Sequence, residues 1–193
     1  MSTTRRRFAS AGAGLAGALS AVLATVAAPA VPPEVFGTYR LKGRVQIDAT
    51  PFPAREQEIH ADALITPGAS ADLVRIRVTA EGTSCELTAS RDAAGRLWLP
   101  QGQRCTVDLR SDEAVGSIAA RLVEGRGQVA GEALELEFAF SLSGALRFRP
   151  GSALDSLGEV LSLPGARGDP VPVRGQVRGK GEGRRDRSRA TSR

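Results

Sequence analysis

The chain has 193 residues, one His and two Cys, which suits a single domain of ordinary size. Its net charge of +5 is unevenly placed: residues 1–30 carry three Arg and no acid, residues 164–193 carry nine Arg/Lys against three Asp/Glu, and residues 31–163 carry 14 against 18. The basic balance therefore belongs to the ends, and with 24 Arg, two Lys and no Asn the Arg richness reflects a compositional bias, which excludes a reading of the body as a basic nucleic-acid binder.

Residues 1–30 read as an export signal. Arg5, Arg6 and Arg7 precede an apolar run from Phe8 to Ala28 that ends in Ala28-Pro29-Ala30, an Ala-x-Ala pattern cut between Ala30 and Val31. Val31-Pro32-Pro33 is a linker. Val35, Gly37, Tyr39, Leu41, Gly43, Val45 and Ile47 then alternate with polar residues as a long half-buried strand, broken at Thr50-Pro51-Phe52-Pro53. A second strand is predicted over Ile59–Ile65 and a third over Val74–Ala80.

The stretch from Cys85 to Cys105 supplies the fourth and fifth strands. Apolar positions alternate at Cys85, Leu87 and Ala89 and again at Cys105, Val107 and Leu109, around a turn at Asp92-Ala-Ala-Gly95. Gly95 is equally distant in sequence from both cysteines, so a single hairpin sets them opposite each other at about 4.5–5.5 Å, within disulfide reach. Pro100 and Gly102 mark an irregularity or an edge in the second arm. The bridge would contribute roughly 3 kcal/mol. A spacing of 20 residues suits neither a redox pair nor a zinc knuckle.

Ile118, Ala120 and Leu122 indicate a sixth strand, separated by Gly125 and Gly127 from a weak seventh at Val129. Leu134, Leu136, Phe138, Phe140 and Leu142 form the clearest strand, and Ser143-Gly144 reads as a turn into a last strand at Leu146 and Phe148. Short turns between such strands predict an all-β antiparallel meander of about eight or nine strands, forming a barrel or, alternatively, a sandwich. Ser152 caps a short C-terminal helix with Leu154, Leu157 and Leu161 on one face. The β domain spans 31–163, and residues 164–193, rich in Gly, Pro and Arg, are predicted disordered.

Two resemblances follow from these residues. Thr4-Arg5-Arg6-Arg7-Phe8-Ala9 resembles the twin-arginine export signal, which implies a cargo translocated already folded. No cofactor motif accompanies it, and the Sec route stays open. Phe36-Gly37-Thr38-Tyr39 resembles the Gly-x-Trp that opens the first strand of lipocalins and their calycin relatives, with Tyr39 in place of tryptophan. That family implies a ligand-carrying barrel in which an arginine of the last strand covers the aromatic ring, a part that Arg147 or Arg149 would take.

Other motifs carry less. Gly12-Ala-Gly14-Leu-Ala-Gly17 spells a dinucleotide fingerprint, but it lies in the export signal with no strand before it. Gly179-Lys180-Gly181 lacks the spacing and the Ser/Thr of a phosphate loop. His60 falls on the wet face between Glu58 and Asp62, and Glu132, Glu135 and Glu137 form an acidic outer patch. Arg167-Gly168-Asp169 is an adhesion tripeptide in an Arg/Gly-rich context where chance explains it.

No acid–base constellation, metal cluster or cofactor site is evident. The expectation is an exported, non-enzymatic barrel, in the periplasm or outside a bacterial cell, that binds a small apolar ligand or lipid among Tyr39, Leu41, Leu136, Phe138 and Phe140. The alternative is a structural or interaction module of the cell envelope, with basic residues 164–193 contacting an anionic surface. The absence of aromatic residues from that segment argues against specific nucleic-acid binding.

Overall fold

The computed structural model describes residues 35–151 and 169–187. The export signal with its cleavage site and the expected helix bearing Leu154, Leu157 and Leu161 lie outside the described residues. Nine strands follow in chain order: β1 (Gly37–Thr50), β2 (Arg55–Pro67), β3 (Leu73–Ala80), β4 (Thr83–Arg91), β5 (Arg96–Trp98), β6 (Arg104–Arg110), β7 (Ala114–Ala130), β8 (Ala133–Phe148) and β9 (Val171–Arg185). All pairings are antiparallel, and the strands form one sheet in the order β5-β4-β3-β2-β1-β9-β8-β7-β6. A further pairing of β5 with β7 brings the ladder back on itself, so the sheet closes into a ring.

Alternation explains most of this arrangement. On β1 Tyr39, Leu41 and Val45 are buried while Arg40, Lys42 and Arg44 are exposed, and on β8 Leu134 and Leu136 are buried between exposed Glu135 and Glu137. The period of two sends one set of side chains to the interior of the ring and the other to solvent.

Three expectations are corrected. Residues 164–193 are not a disordered segment throughout: Val171–Arg185 is a 15-residue strand lying between β1 and β8. Its inward positions are Val171, Val173, Gly175, Val177, Gly179, Gly181 and Gly183, so the period of two is present, but glycine occupies the places where an apolar side chain would announce it. Ser143-Gly144 is no turn, because β8 runs unbroken through it and Gly144 pairs with Ile118 on one side and Val173 on the other. Gly125 and Gly127 likewise do not end a strand. They lie within the 17 residues of β7, which takes up one extra residue at a bulge between Leu122 and Glu124.

The cysteine hairpin forms in part as read from the sequence: β4 and β5 pair only at Ser90–Trp98 and Arg91–Leu97, and Cys105 lies in a separate strand laddered to β7. Gly95, with φ of +83°, ends its turn and lies so close to β7 that a Cβ would sit 2.2 Å from the Val129 carbonyl oxygen. The second arm is β5 followed by β6, both on the same edge of β7, with the irregularity at Pro100–Gln103. There the Gln103 side chain takes the place of a ladder partner: the Thr88 N–H donates to its Oε1 at 2.6 Å and its Nε2 donates to the Thr88 carbonyl at 2.9 Å. Cys85 and Cys105 are bonded, with Cα atoms 5.3 Å apart.

Because β9 supplies ladders to both β1 and β8, a chain ending at Leu163 is expected to lack the closed sheet. Far-ultraviolet circular dichroism during urea titration should show a cooperative transition for the full chain and none for the shortened one. A cooperative transition of equal midpoint in both would contradict the central position of β9.

Candidate functional site: an apolar cavity within the strand ring

The interior of the ring is built in layers. At the end where β5 closes against β7, Tyr39, Ala63, Ile65, Val74, Ile76, Ala89, Leu97, Val129 and Leu134 are all buried, forming a packed plug. Toward the other end a second cluster gathers Ala49, Ala114, Leu146, Phe148, Val171 and Val173, with Phe52 set edge-on to Phe148 at 6.4 Å between ring centroids.

Next to the plug lies a cavity of about 190 Å³, lined by Leu41, Gly43, Ile59, Ala61, Val78, Ala80, Thr83, Cys85, Leu87, Leu136, Phe138, Phe140 and Gly181. Larger hollows of about 590, 690 and 640 Å³ are lined largely by charged side chains, the first of them also by Val123, Phe138 and Phe140. The interior cavity is partly open to solvent, since Ile59, Val78, Ala80, Thr83, Cys85, Phe138 and Phe140 along it are half-buried, and it exists because its walls are unequal. Phe138 and Phe140 reach inward from β8 with centroids 5.5 Å apart, whereas the facing strands contribute glycine and alanine at Gly43, Ala61, Ala80 and Gly181. Phe138 fills the space over Gly179, where a Cβ would come within 2.6 Å of its Cζ. At Gly181 a Cβ would meet only ordinary contacts, at 3.7 Å or more, so that position keeps its share of the hollow open.

Of the five residues singled out as lining, the structure brings Leu41, Leu136, Phe138 and Phe140 together around the cavity. Tyr39 sits one layer below, fully buried. Its hydroxyl donates to the Val35 carbonyl at 2.8 Å and accepts from Arg185 Nη2 at 3.1 Å, and the Arg185 guanidinium lies 5.5 Å from its ring centroid. The arginine over this ring therefore comes from β9 and is neither Arg147 nor Arg149. Arg147 is exposed on β8 and Arg149 donates to the Ser111 carbonyl. Gly181 and Arg185 were both missed by sequence reasoning, because they belong to the strand that composition concealed. The available signal was the strict alternation of Gly175-x-Val177-x-Gly179-x-Gly181-x-Gly183.

The remaining candidates stay outside. His60 is exposed on β2, opposite Lys42 in the register, and among the described residues no group of three His, Cys, Asp or Glu is placed to hold a metal ion. Glu137 pairs with Arg126 at 2.7 Å and Glu132 with Arg187. Arg178 and Lys180 belong to β9, where Lys180 pairs in register with Arg44 and Glu137. The shifted carboxyls are surface groups: a hydrogen bond from Arg77 holds Glu86 below its ordinary value, and one from Ser70 does the same for Asp72. Neither lines the cavity. A cysteine pair bonded in this way points to a non-reducing compartment. Comparison of the chain with protein-family models, with curated proteins and with solved structures found no match.

Removing Arg185 strips a hydrogen bond and a stacked cation from a fully buried tyrosine. Arg185→Ala is expected to cost about 1–3 kcal/mol, read as a lower urea midpoint with an unchanged slope. A midpoint within error of the parent would show that the guanidinium adds nothing to the plug.

Proposed function

We propose that the protein is an exported, non-enzymatic carrier, barrel-like in form, that holds a small apolar molecule inside its ring. The observation that carries this reading is the apolar cavity of about 190 Å³ between Phe138, Phe140 and the glycine and alanine positions facing them. A cavity of about 150 Å³ with apolar walls is enough for benzene, and drug-sized ligands take roughly 300–1,000 Å³. The ligand class is thus a compact hydrocarbon, a simple aromatic or a short apolar segment, and is smaller than a whole lipid. Burial of its surface supplies the affinity, and the wall offers only the Thr83 hydroxyl and the Cys85 sulfur for polar selection.

Three features support the carrier reading. Tyr39, near the start of the first strand, is covered by Arg185 from the last, the arrangement implied by the lipocalin resemblance. The disulfide fits export to the periplasm or the cell exterior. Arg5 and Arg6, with cleavage between Ala30 and Val31, supply the export signal in this reading, by the twin-arginine or the Sec route.

Toluene is a suitable probe. At ten times its Kd, a ligand held only by the folded chain adds about 1.4 kcal/mol to stability, which a thermal melt detects as a raised Tm. Gly181→Ile places a branched side chain in the hollow and is expected to abolish the toluene shift while leaving the Tm of the unliganded chain at or above that of the parent. Failure of toluene to stabilise the parent, or equal stabilisation of both chains, would refute the carrier reading.

A further inference from the structure

We propose that the outer face of the β1–β9 ladder is a docking surface for a linear acidic polysaccharide. The proposal rests on the outward-facing cations of these strands, none of which lines the cavity. Outward positions of the two strands bear Arg40, Lys42, Arg44, Arg174, Arg178, Lys180 and Arg184, all exposed, against only Asp48 and Glu182. Arg44 is paired in register with Lys180, and Arg40 with Arg184. Like charges directly opposite each other destabilise a sheet, and here they occur twice in one ladder. Asp186 offsets Arg40 at 2.7 Å and Glu56 lies 3.6 Å from Arg44. Lys42, Arg178, Lys180 and Arg184 have no carboxylate within ion-pair distance among the described residues. Lys42 faces Glu182 in the same ladder and Lys180 faces Glu137 on β8, so the unbalanced positive charge is that of the two like pairs, Arg40 with Arg184 and Arg44 with Lys180.

The surroundings indicate the shape of the partner. The neighbouring strands place acidic residues on both flanks, Glu56 and Glu58 on β2 and Glu135 and Glu137 on β8. A planar anionic membrane laid over this face would meet both acidic rims, and the twist of the sheet would lift it from the ends of the ladder. A narrow chain avoids both penalties by lying between the rims. Successive outward cations on one strand recur at about 6.6 Å, two strand rises, a spacing that an extended polyanion can follow. A groove of about 590 Å³ spans the ladder from Glu56 on β2 to Arg126 on β7, and its cations Arg44, Arg126, Arg178 and Lys180 share it with Glu56, Glu124 and Glu137. No outward position of the ladder is aromatic, so bases would find no stacking platform, while Gln46, Gln176 and Thr50 offer amide and hydroxyl groups to sugar hydroxyls.

Heparin serves as the probe, bound to the full chain and followed by calorimetry over a series of salt concentrations. The double variant Arg178→Glu/Lys180→Glu is expected to weaken heparin at least tenfold and to flatten the slope of log K against log salt by about 1–2. Arg104→Glu/Arg110→Glu, on exposed positions of β6, changes net charge equally and is expected to weaken it less than threefold. Three results would each overturn the proposal: no heparin binding by the parent at low salt, equal losses in the two double variants, or tighter binding to single-stranded DNA or to phosphatidylglycerol vesicles than to heparin. Circular dichroism of the variants separates loss of binding from loss of fold.

Discussion

The two ladders that β9 makes with β1 and β8 join the first strand of the sheet to the last long ones. Along β1 and β8 these ladders run for most of their length, from Tyr39 to Thr50 and from Ala133 to Leu146. Without them β1 and β8 would each present a long unpaired edge, and the two halves of the sheet would be joined only through the three-residue pairing of β5 with β7, the Gln103–Thr88 hydrogen bonds and the Cys85–Cys105 bridge. Backbone groups left unpaired in the interior are costly, so the closure of the ring and the burial of both hydrophobic clusters depend on a segment whose composition looks unfit for a core.

Glycine is what makes that segment fit. A strand lying between two others in a small ring is crowded on its concave side. At Gly183 a Cβ would run into the Arg40 carbonyl oxygen, and at Gly175 into that of Asp48. The same absence of side chains leaves room for Phe138 above Gly179 and for the hollow beside Gly181. Cavity and closure are therefore two results of one choice of residues. Enlarging those residues at random would force the strands apart at Gly175 or Gly183, whereas at Gly181 it would only fill space.

Where an inward residue is large, the sequence disclosed the structure. The alternation of Leu134, Leu136, Phe138 and Phe140 marked both β8 and the wall of the cavity, and the symmetry of the two cysteines about Gly95 marked the bridge. Where the inward residue is glycine, the signal vanished or misled: Gly144 suggested a turn, Gly125 and Gly127 a break, and the run from Gly175 to Gly183 disorder. The physical reason is common to all of them. Hydrophobic periodicity reports burial through side chains, and a position buried because the backbones themselves approach has no side chain to report it. Arg185 followed the same course. The expectation of an arginine over Tyr39 was met by the geometry, but by a residue at the far end of a strand that periodicity did not show.

The outward half of β9 carries the basic residues of this segment. An alternating Gly-Arg/Lys sequence is usually read as low complexity, because neither residue builds a core. In a strand, however, alternation assigns the two residue types to two different faces. The glycines then answer the crowding of the interior, and Arg174, Arg178, Lys180 and Arg184 answer nothing in the interior at all. Solubility would be served as well by a mixture of signs, which lowers cross-strand repulsion, and this sheet does use such a mixture where Arg126 meets Glu137 and Arg77 meets Glu86. The β1–β9 ladder keeps that practice where Lys42 faces Glu182 and departs from it where Arg44 is set against Lys180 and Arg40 against Arg184, between two acidic rims.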